Sequence, residues 1–430
     1  MVIFYACFNA KLDLNILLHQ QWNMMNIAII GGGAAGFFAA IKAKEKHPKA
    51  TVTIYEKSSK LLSKVRVSGG GRCNVTNGCA EVNELIKAYP RGGKKLKKAF
   101  HRFNTTDTVK WFESRGVPLL SQEDGCVFPV SQNSQSIIDC FLKICKKMDI
   151  QIKTRSGIEQ IRKTNNALEL TFDKNKYPPV VCDKVIVATG GSPKRKGLEW
   201  LEKLGHKIAD PVPSLFTFNM PAESITELMG IVVNDVIASI QGHNLEASGP
   251  LLITHWGMSG PAILILSAFG ARILSNQNYR FKVQINWTNE KNHDQVLSII
   301  NAIAQDNPKK LITNIRPFQL QDRLWKYLLD KYNISQERKW GELGRKSLNK
   351  IVHLLTNDGY EVNGKTTFKE EFVTCGGVSL ESIHLNTMES KVCKNLYFAG
   401  EVLDIDGITG GYNFQSAWTT AFIAGELVSL

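Results

Sequence analysis

The segment NIAIIGGGAAGFFAAIKA, residues 26–43, constrains this chain most: an apolar run passes into Gly31, Gly33 and Gly36 and then into small, helix-compatible residues. Strand, glycine turn and helix in that order make a dinucleotide cradle. Gly31 allows the tight turn, Gly33 lets the backbone approach a pyrophosphate, and Gly36 lets helix and strand pack closely. The unpaired amides at the helix start, around Ala34 and Ala35, then face phosphate charge. A second apolar run, TVTIYE, ends in Glu56, where an acid would bind a ribose hydroxyl. A Rossmann-like α/β fold is the expectation.

The segment after Glu56, KSSKLLSKVRVSGGGRCNVTN, places Lys57, Lys60, Lys64, Arg66 and Arg72 around a glycine run ending at Gly71. A basic, glycine-rich loop suits a long phosphate-bearing ligand better than a simple NAD site. Near the other end, NLYFAGEVLDIDGITGGYNFQSAWTTAFIAGEL reads as a short strand, then Gly400 and Glu401, a loop, and Gly410 and Gly411 opening a small-residue helix. That helix start can hold a second part of the ligand. Further cofactor contacts are expected at Ile158, Thr189, Gly190 and Gly191, and at Tyr412, Asn413 and Phe414.

On IGGGAAG, SGGGRCNVTN, VIVATGG, THWGMSGPAILILS, CGGVSLESIHLNTMESK and YFAGEVLDIDGITGGYNFQSAW, the chain resembles the aminoacetone oxidase family of FAD-binding flavoproteins. The resemblance covers residues 26–430. It departs after VATGG, where SPKRKGLEWLEKLGH is shorter than the family's glycine-rich segment. It implies non-covalently bound FAD, with Arg72, Cys73 and Asn74 beside the isoalloxazine. It also implies that His255 reaches the substrate side from an inserted domain. Catalytic roles are therefore expected for His255, Arg72 and Asn74, with His255 as general acid or base because histidine titrates near working pH. Glu401 is expected on the ribityl chain, with Asp404 or Asp406 able to share that task.

The FAD pieces imply a split cofactor domain, residues 25–195 and 367–430. An inserted β-barrel-like domain would occupy 196–290 and 359–366, with a nested helical cap at 291–358. QVLSIINAIAQ, FQLQDRLWKYLLDKY and LNKIVHLLTN carry apolar residues at helical spacing there, whereas Leu215–Lys282 reads as short strands and turns. A third cofactor-domain strand is expected near Gln151–Ile161. Residues 1–24 lack a basic leader or cleavage site, so a misassigned start before Met24 or Met25 is the expectation.

The longest apolar run, Ile27–Ile41, is interrupted by glycines and falls short of the roughly 18 residues a membrane span needs. No transmembrane helix is expected. Nine cysteines show no C-x-x-C pair and no zinc-like spacing with histidine, which argues for a reducing cytoplasm and no metal. Cys73 and Cys79 raise the possibility of a redox dithiol, but the turn-forming NVTNG between them argues for packing or flavin contact.

With 53 basic against 39 acidic residues the formal charge is +14, densest in RGGKKLKKAFHR at 91–102. Lys94, Lys95, Lys97 and Lys98 read first as a solvated helix face, and nucleic acid as the less expected partner. The chain has no second strand, glycine loop and helix unit for NAD(P)H, so NADH or NADPH would act as a diffusible donor. Three readings follow: an oxidase of a small amine such as aminoacetone, a reductase of conjugated enones such as bile-acid-like substrates, and an FAD-containing nucleic-acid-associated protein. The substrate identity and the oligomeric state are not legible.

Overall fold

The computed structural model describes residues 24–165, 167–173, 176–366 and 373–429. The expectation for the first 23 residues lies outside them. The chain divides into two compact units, one running to Pro211 and resuming at Val373, the other formed by 212–372. Each has its own apolar core.

The first unit is built on a seven-stranded sheet. Its strands are β1 (Asn26–Ile30), β2 (Thr51–Tyr55), β3 (Gln151–Lys153), β4 (Lys184–Val187), β5 (Ile383–His384), β6 (Glu389–Ser390) and β7 (Leu396–Phe398), in the order β5-β6-β7-β4-β1-β2-β3. β7, β4, β1, β2 and β3 run parallel, with Ile30 beside both Val187 and Tyr55. The continuous apolar runs of β1 and β4 follow from burial on both faces. Helix α1 (Ala34–Lys46) follows β1, and helix α2 (Tyr412–Ala424) follows β7. Phe38 of α1 sits 4.6 Å from the Trp111 ring and 5.6 Å from that of Trp418 in α2, ring centre to ring centre. Burying one such side chain stabilises by roughly 1.5–3 kcal/mol.

The expected strand Gln151–Ile161 is two elements. β3 ends at Lys153, Arg155 takes φ 54°, and Ile158–Lys163 joins Leu168–Phe172 and Val180–Cys182 in a separate antiparallel sheet. The break lets Ser156 N–H bond the Glu56 carbonyl and Arg155 N–H the Ser58 carbonyl, so the chain turns away from the end of β2.

The second unit holds another seven-stranded sheet, antiparallel throughout. Asp358–Asn363 pairs with Arg280–Asn286, and the order continues through Val232–Ile240, Glu246–Thr254, Gly257–Ser259 and Thr217–Asn219 to Lys365–Thr366. Only Gly364 separates the first strand of that order from the last. Helices His293–Asp306, Asp322–Lys331 and Arg345–Thr356 occupy the stretch with helical spacing. Pro261–Asn276, within the segment expected to be strands and turns, is instead a 16-residue helix with Pro261 in its first turn. Proline lacks the N–H that a helix start leaves unpaired, and its fixed φ already suits a helix.

Candidate functional site

β1 delivers the chain into the glycine turn, where Gly31 N–H donates to the Tyr55 carbonyl at 2.8 Å. At Gly36 a Cβ would lie 1.9 Å from the Gly31 carbonyl oxygen, so only glycine lets α1 approach the turn. Gly33 is the N-cap of α1, and a Cβ there would meet nothing within 4 Å. The first turn of α1 has no acidic residue. Free amides, the positive end of the helix dipole and open space together suit an anion. Glu56 closes this corner: Oε2 accepts from Gly32 N–H at 2.8 Å and Oε1 from Ser58 N–H at 2.7 Å. Each oxygen keeps a lone pair for a hydroxyl donor.

The second glycine segment turns sharply. Gly69, Gly70 and Gly71 take φ of 58°, 68° and 86° in succession, and around Gly70 and Gly71 there is open space. Consecutive left-handed or turn residues aim their amides into a concave anion site. Arg72 braces this loop, Nε donating to the Gly69 carbonyl at 3.1 Å and the guanidinium lying 4.1 Å above Phe128. Cys73 is fully buried with φ 65°, and burial pushes its thiol up to about 12. Burial raises Cys79 as well. Neither is poised as a thiolate at neutral pH.

Lys64 reaches back to Glu401, Nζ to Oε2 at 2.6 Å, while Glu401 Oε1 accepts from Thr374 N–H at 2.9 Å. The buried Thr374 Oγ1 has no hydrogen-bond partner. A Cβ on Gly191 would lie 2.6 Å from Glu401 Oε1 and 2.7 Å from that hydroxyl. Thr189 is exposed just beyond β4, and no atom lies near the Cβ position of Gly190. Lys57, Arg155, Gly157, Phe172, Lys176 and Tyr177 line a cleft beside the end of β2. Ile158 follows Gly157 directly and is half-buried.

At the other end of the unit, Gly400 passes close over Ala35 of α1. Gly411, with φ 89°, caps α2, and a Cβ there would strike the Thr76 carbonyl oxygen at 2.2 Å and Asn74 Oδ1 at 2.8 Å. Asn74 and Thr76 therefore lie directly against the start of α2. Asn74 Oδ1 accepts from Val127 N–H at 3.2 Å, and Asn413 clamps Gly407 through both its amide atoms. Phe414 stacks on Trp418, and burial pushes the Tyr412 phenol up to about 12. Behind the first turn of α2, buried Gln415 accepts from Thr76 Oγ1 at 2.6 Å and Thr108 Oγ1 at 2.8 Å and donates to Thr419. Arg91 forks onto the fully buried Asp406, Nε to Oδ1 at 2.6 Å, so Asp406 is committed to holding the loop.

Thr374, Gln415 and the Arg91–Asp406 pair carry no local motif. Their partners lie far away in the chain, so spacing alone does not reveal them. His255 belongs to the second unit, exposed on the turn between Glu246–Thr254 and Gly257–Ser259, with its ring 3.8 Å from that of Trp256. Among the described residues no group of histidine, cysteine and carboxylate could hold a metal ion, and no helix is long and apolar enough to cross a membrane.

The open glycine amides, the orphaned Thr374 hydroxyl and the capped start of α2 fit a long dinucleotide such as FAD. When bound, FAD supplies hydride transfer at its ring, and the chain supplies binding, orientation and electrostatics. The family described as "HI0933-like protein Rossmann domain" matches residues 25–427. The chain is 27% identical to a 3-dehydro-bile acid delta(4,6)-reductase of Clostridium scindens, over 94% of this chain and 98% of that one. It is 29% identical to a ribosomal RNA dihydrouridine synthase of Escherichia coli, over 93% of this chain and 96% of that one. A solved 3-ketosteroid delta1-dehydrogenase of Sterolibacterium denitrificans shares the fold at TM-score 0.50 and 11% identity, covering 94% of this chain and 99% of that one. The chain belongs to the HI0933-like Rossmann family of FAD-binding proteins and is a flavin-dependent oxidoreductase.

Proposed function

We propose that the protein reduces a carbon–carbon double bond conjugated to a carbonyl, and that its substrate is uridine within ribosomal RNA. The carrying observation is that relatives matching almost end to end bear the names of a bile-acid delta(4,6)-reductase and a dihydrouridine synthase. Those substrates share one chemistry. In uridine the C5=C6 bond is conjugated to the C4 carbonyl, so a hydride enters at C6, a proton is added at C5, and two electrons are consumed. The charge of +14 favours a polyanionic substrate over a small acid or amine.

In this reading the α1 start and the Gly69–Gly71 turn bind the cofactor's phosphates, while Lys64, Thr374 and Glu401 meet its hydroxyl-bearing chain. Glu56 takes the ribose, with Lys57 and Ile158 at the adenine side. The Gly411–Phe414 amides stabilise negative charge on the reduced ring. Arg72 and Asn74 line the ring, and His255 is the proton donor of the inserted domain. The second unit serves as that domain, barrel-like and carrying a nested helical cap. NADH or NADPH brings the electrons as a diffusible donor.

The test is anaerobic mixing of the yellow protein with NADH, NADPH or aminoacetone in separate experiments, following the visible flavin band. Bleaching by a nicotinamide and not by aminoacetone is expected. Bleaching by aminoacetone alone, reversed by oxygen with peroxide released, would instead make the protein the oxidase that its motifs resemble.

A further inference from the structure

The helix Gly93–Arg102 separates its residues sharply by face. Leu96, Ala99 and Phe100 are buried, whereas Lys94, Lys95, Lys97 and Lys98 are exposed. At 3.6 residues per turn the four lysines fall within an arc of about 160°. No carboxylate is held in an ion pair by any of the four among the described residues. Lys95 and the more important Lys207 together hold the exposed Glu381 carboxyl below its usual range. Farther along, Arg102 is paired with Glu426, so the free positive charge is concentrated in the first two turns.

This helix is fastened at its start to the loop that leads into α2. Ile408 N–H donates to the Ala88 carbonyl at 2.9 Å, and Tyr89 OH donates to the Tyr412 carbonyl at 2.7 Å. Arg91 grips buried Asp406, and Gly92 packs against Ile405. Four of the five residues Ala88–Gly92 thus meet the segment 405–412 with little slack. The basic face and the glycine-capped start of α2 rise from one braced piece of backbone.

We propose that the Lys94, Lys95, Lys97 and Lys98 face is where the RNA backbone docks, and that its attachment to the 405–412 loop holds the docked strand beside the flavin site. The inference rests on the RNA reading above and names its surface. Four ammonium groups on one face neutralise phosphates without reading sequence, which leaves choice of the base to the site itself. Arg91 is a positioning residue here, since it touches the loop and not the substrate.

The experiment measures binding of a labelled, unmodified ribosomal RNA transcript to the FAD-loaded protein across a range of salt concentrations. Two variants accompany it: Lys94→Gln/Lys95→Gln/Lys97→Gln/Lys98→Gln, and a control, Lys346→Gln/Lys350→Gln, in which two exposed lysines of the helix Arg345–Thr356 are neutralised. A slope of 0.7–0.9 in log affinity against log salt accompanies each phosphate contact, so the fourfold variant should lose a slope of about three. The control should keep the parent slope. Retained flavin absorbance reports that the variants are folded. An unchanged slope in the fourfold variant, with the parent binding, would overturn the docking surface and leave the RNA reading intact. A parent that does not bind the transcript would overturn both.

Discussion

Gly36 is the residue on which the cofactor cradle depends most directly, because its missing side chain is the space occupied by the Gly31 carbonyl. Gly36→Ala should separate α1 from the turn, and we expect the purified variant to be largely colourless, read as the ratio of flavin to protein absorbance. A normally yellow variant would show that the phosphates sit elsewhere. Arg91 makes a different kind of prediction. Removing it leaves Asp406 as a fully buried charge without its guanidinium, and breaking such a pair costs roughly 3–5 kcal/mol. Arg91→Ala should lose about that much in denaturant unfolding, and Asp406→Asn in the same chain should restore part of it. The two residues also mark the limit of the sequence. Gly31, Gly33, Gly36 and Glu56 were legible because their meaning is local, set by a strand, a turn and a helix in succession. Arg91 read only as one more charge, because its partner is 315 positions away.

At the scale of elements, α2 couples the two ends of the first unit. Its Gln415 accepts from two threonines, one on Thr76–Asn77 and one on the helix Thr105–Glu113, and Trp418 Nε1 donates to the Val75 carbonyl. Gln415→Met keeps the volume but leaves the Thr76 hydroxyl without its acceptor, at roughly 1–3 kcal/mol, while the Thr108 hydroxyl keeps the Asn104 carbonyl at 3.1 Å. We expect lower stability and faster FAD release on dilution, measured by denaturation and by the recovery of free-flavin fluorescence. Unaltered release would detach this network from the site. Periodicity revealed the long helices of the second unit, and a continuous apolar run the strand that precedes the first glycine turn. It did not separate β3 from Ile158–Lys163, because the break is a short turn, Thr154–Gly157, made by Arg155 in a left-handed conformation inside an otherwise strand-like run. Nor did it show that PAILILSAFGARILSN is helical, since a nearly all-apolar run has no period to read.

For the whole molecule, burial of weak acids sets how stability responds to alkali. Burial pushes the thiols of Cys73, Cys145 and Cys182 from 9.0 up to about 12, and the phenols of Tyr55 and Tyr397 from 10.0 up to about 12. These groups hold their protons more tightly folded than unfolded, so their contribution is complete below pH 9 and is lost as pH rises towards 12. The melting temperature should therefore fall steadily across that interval. A flat profile would mean that these side chains are solvated. The strongly basic balance is legible in composition, whereas substrate choice is not, because residues that select a substrate need not repeat any pattern.

The most direct measurement starts from protein reduced anaerobically and then mixed with an unmodified ribosomal RNA transcript, following the visible flavin band and analysing the nucleosides by mass spectrometry. The band should return as one dihydrouridine forms for each flavin reoxidised. A flavin that stays reduced in the presence of RNA, yet is reoxidised by a conjugated steroid enone or only by oxygen, would contradict it.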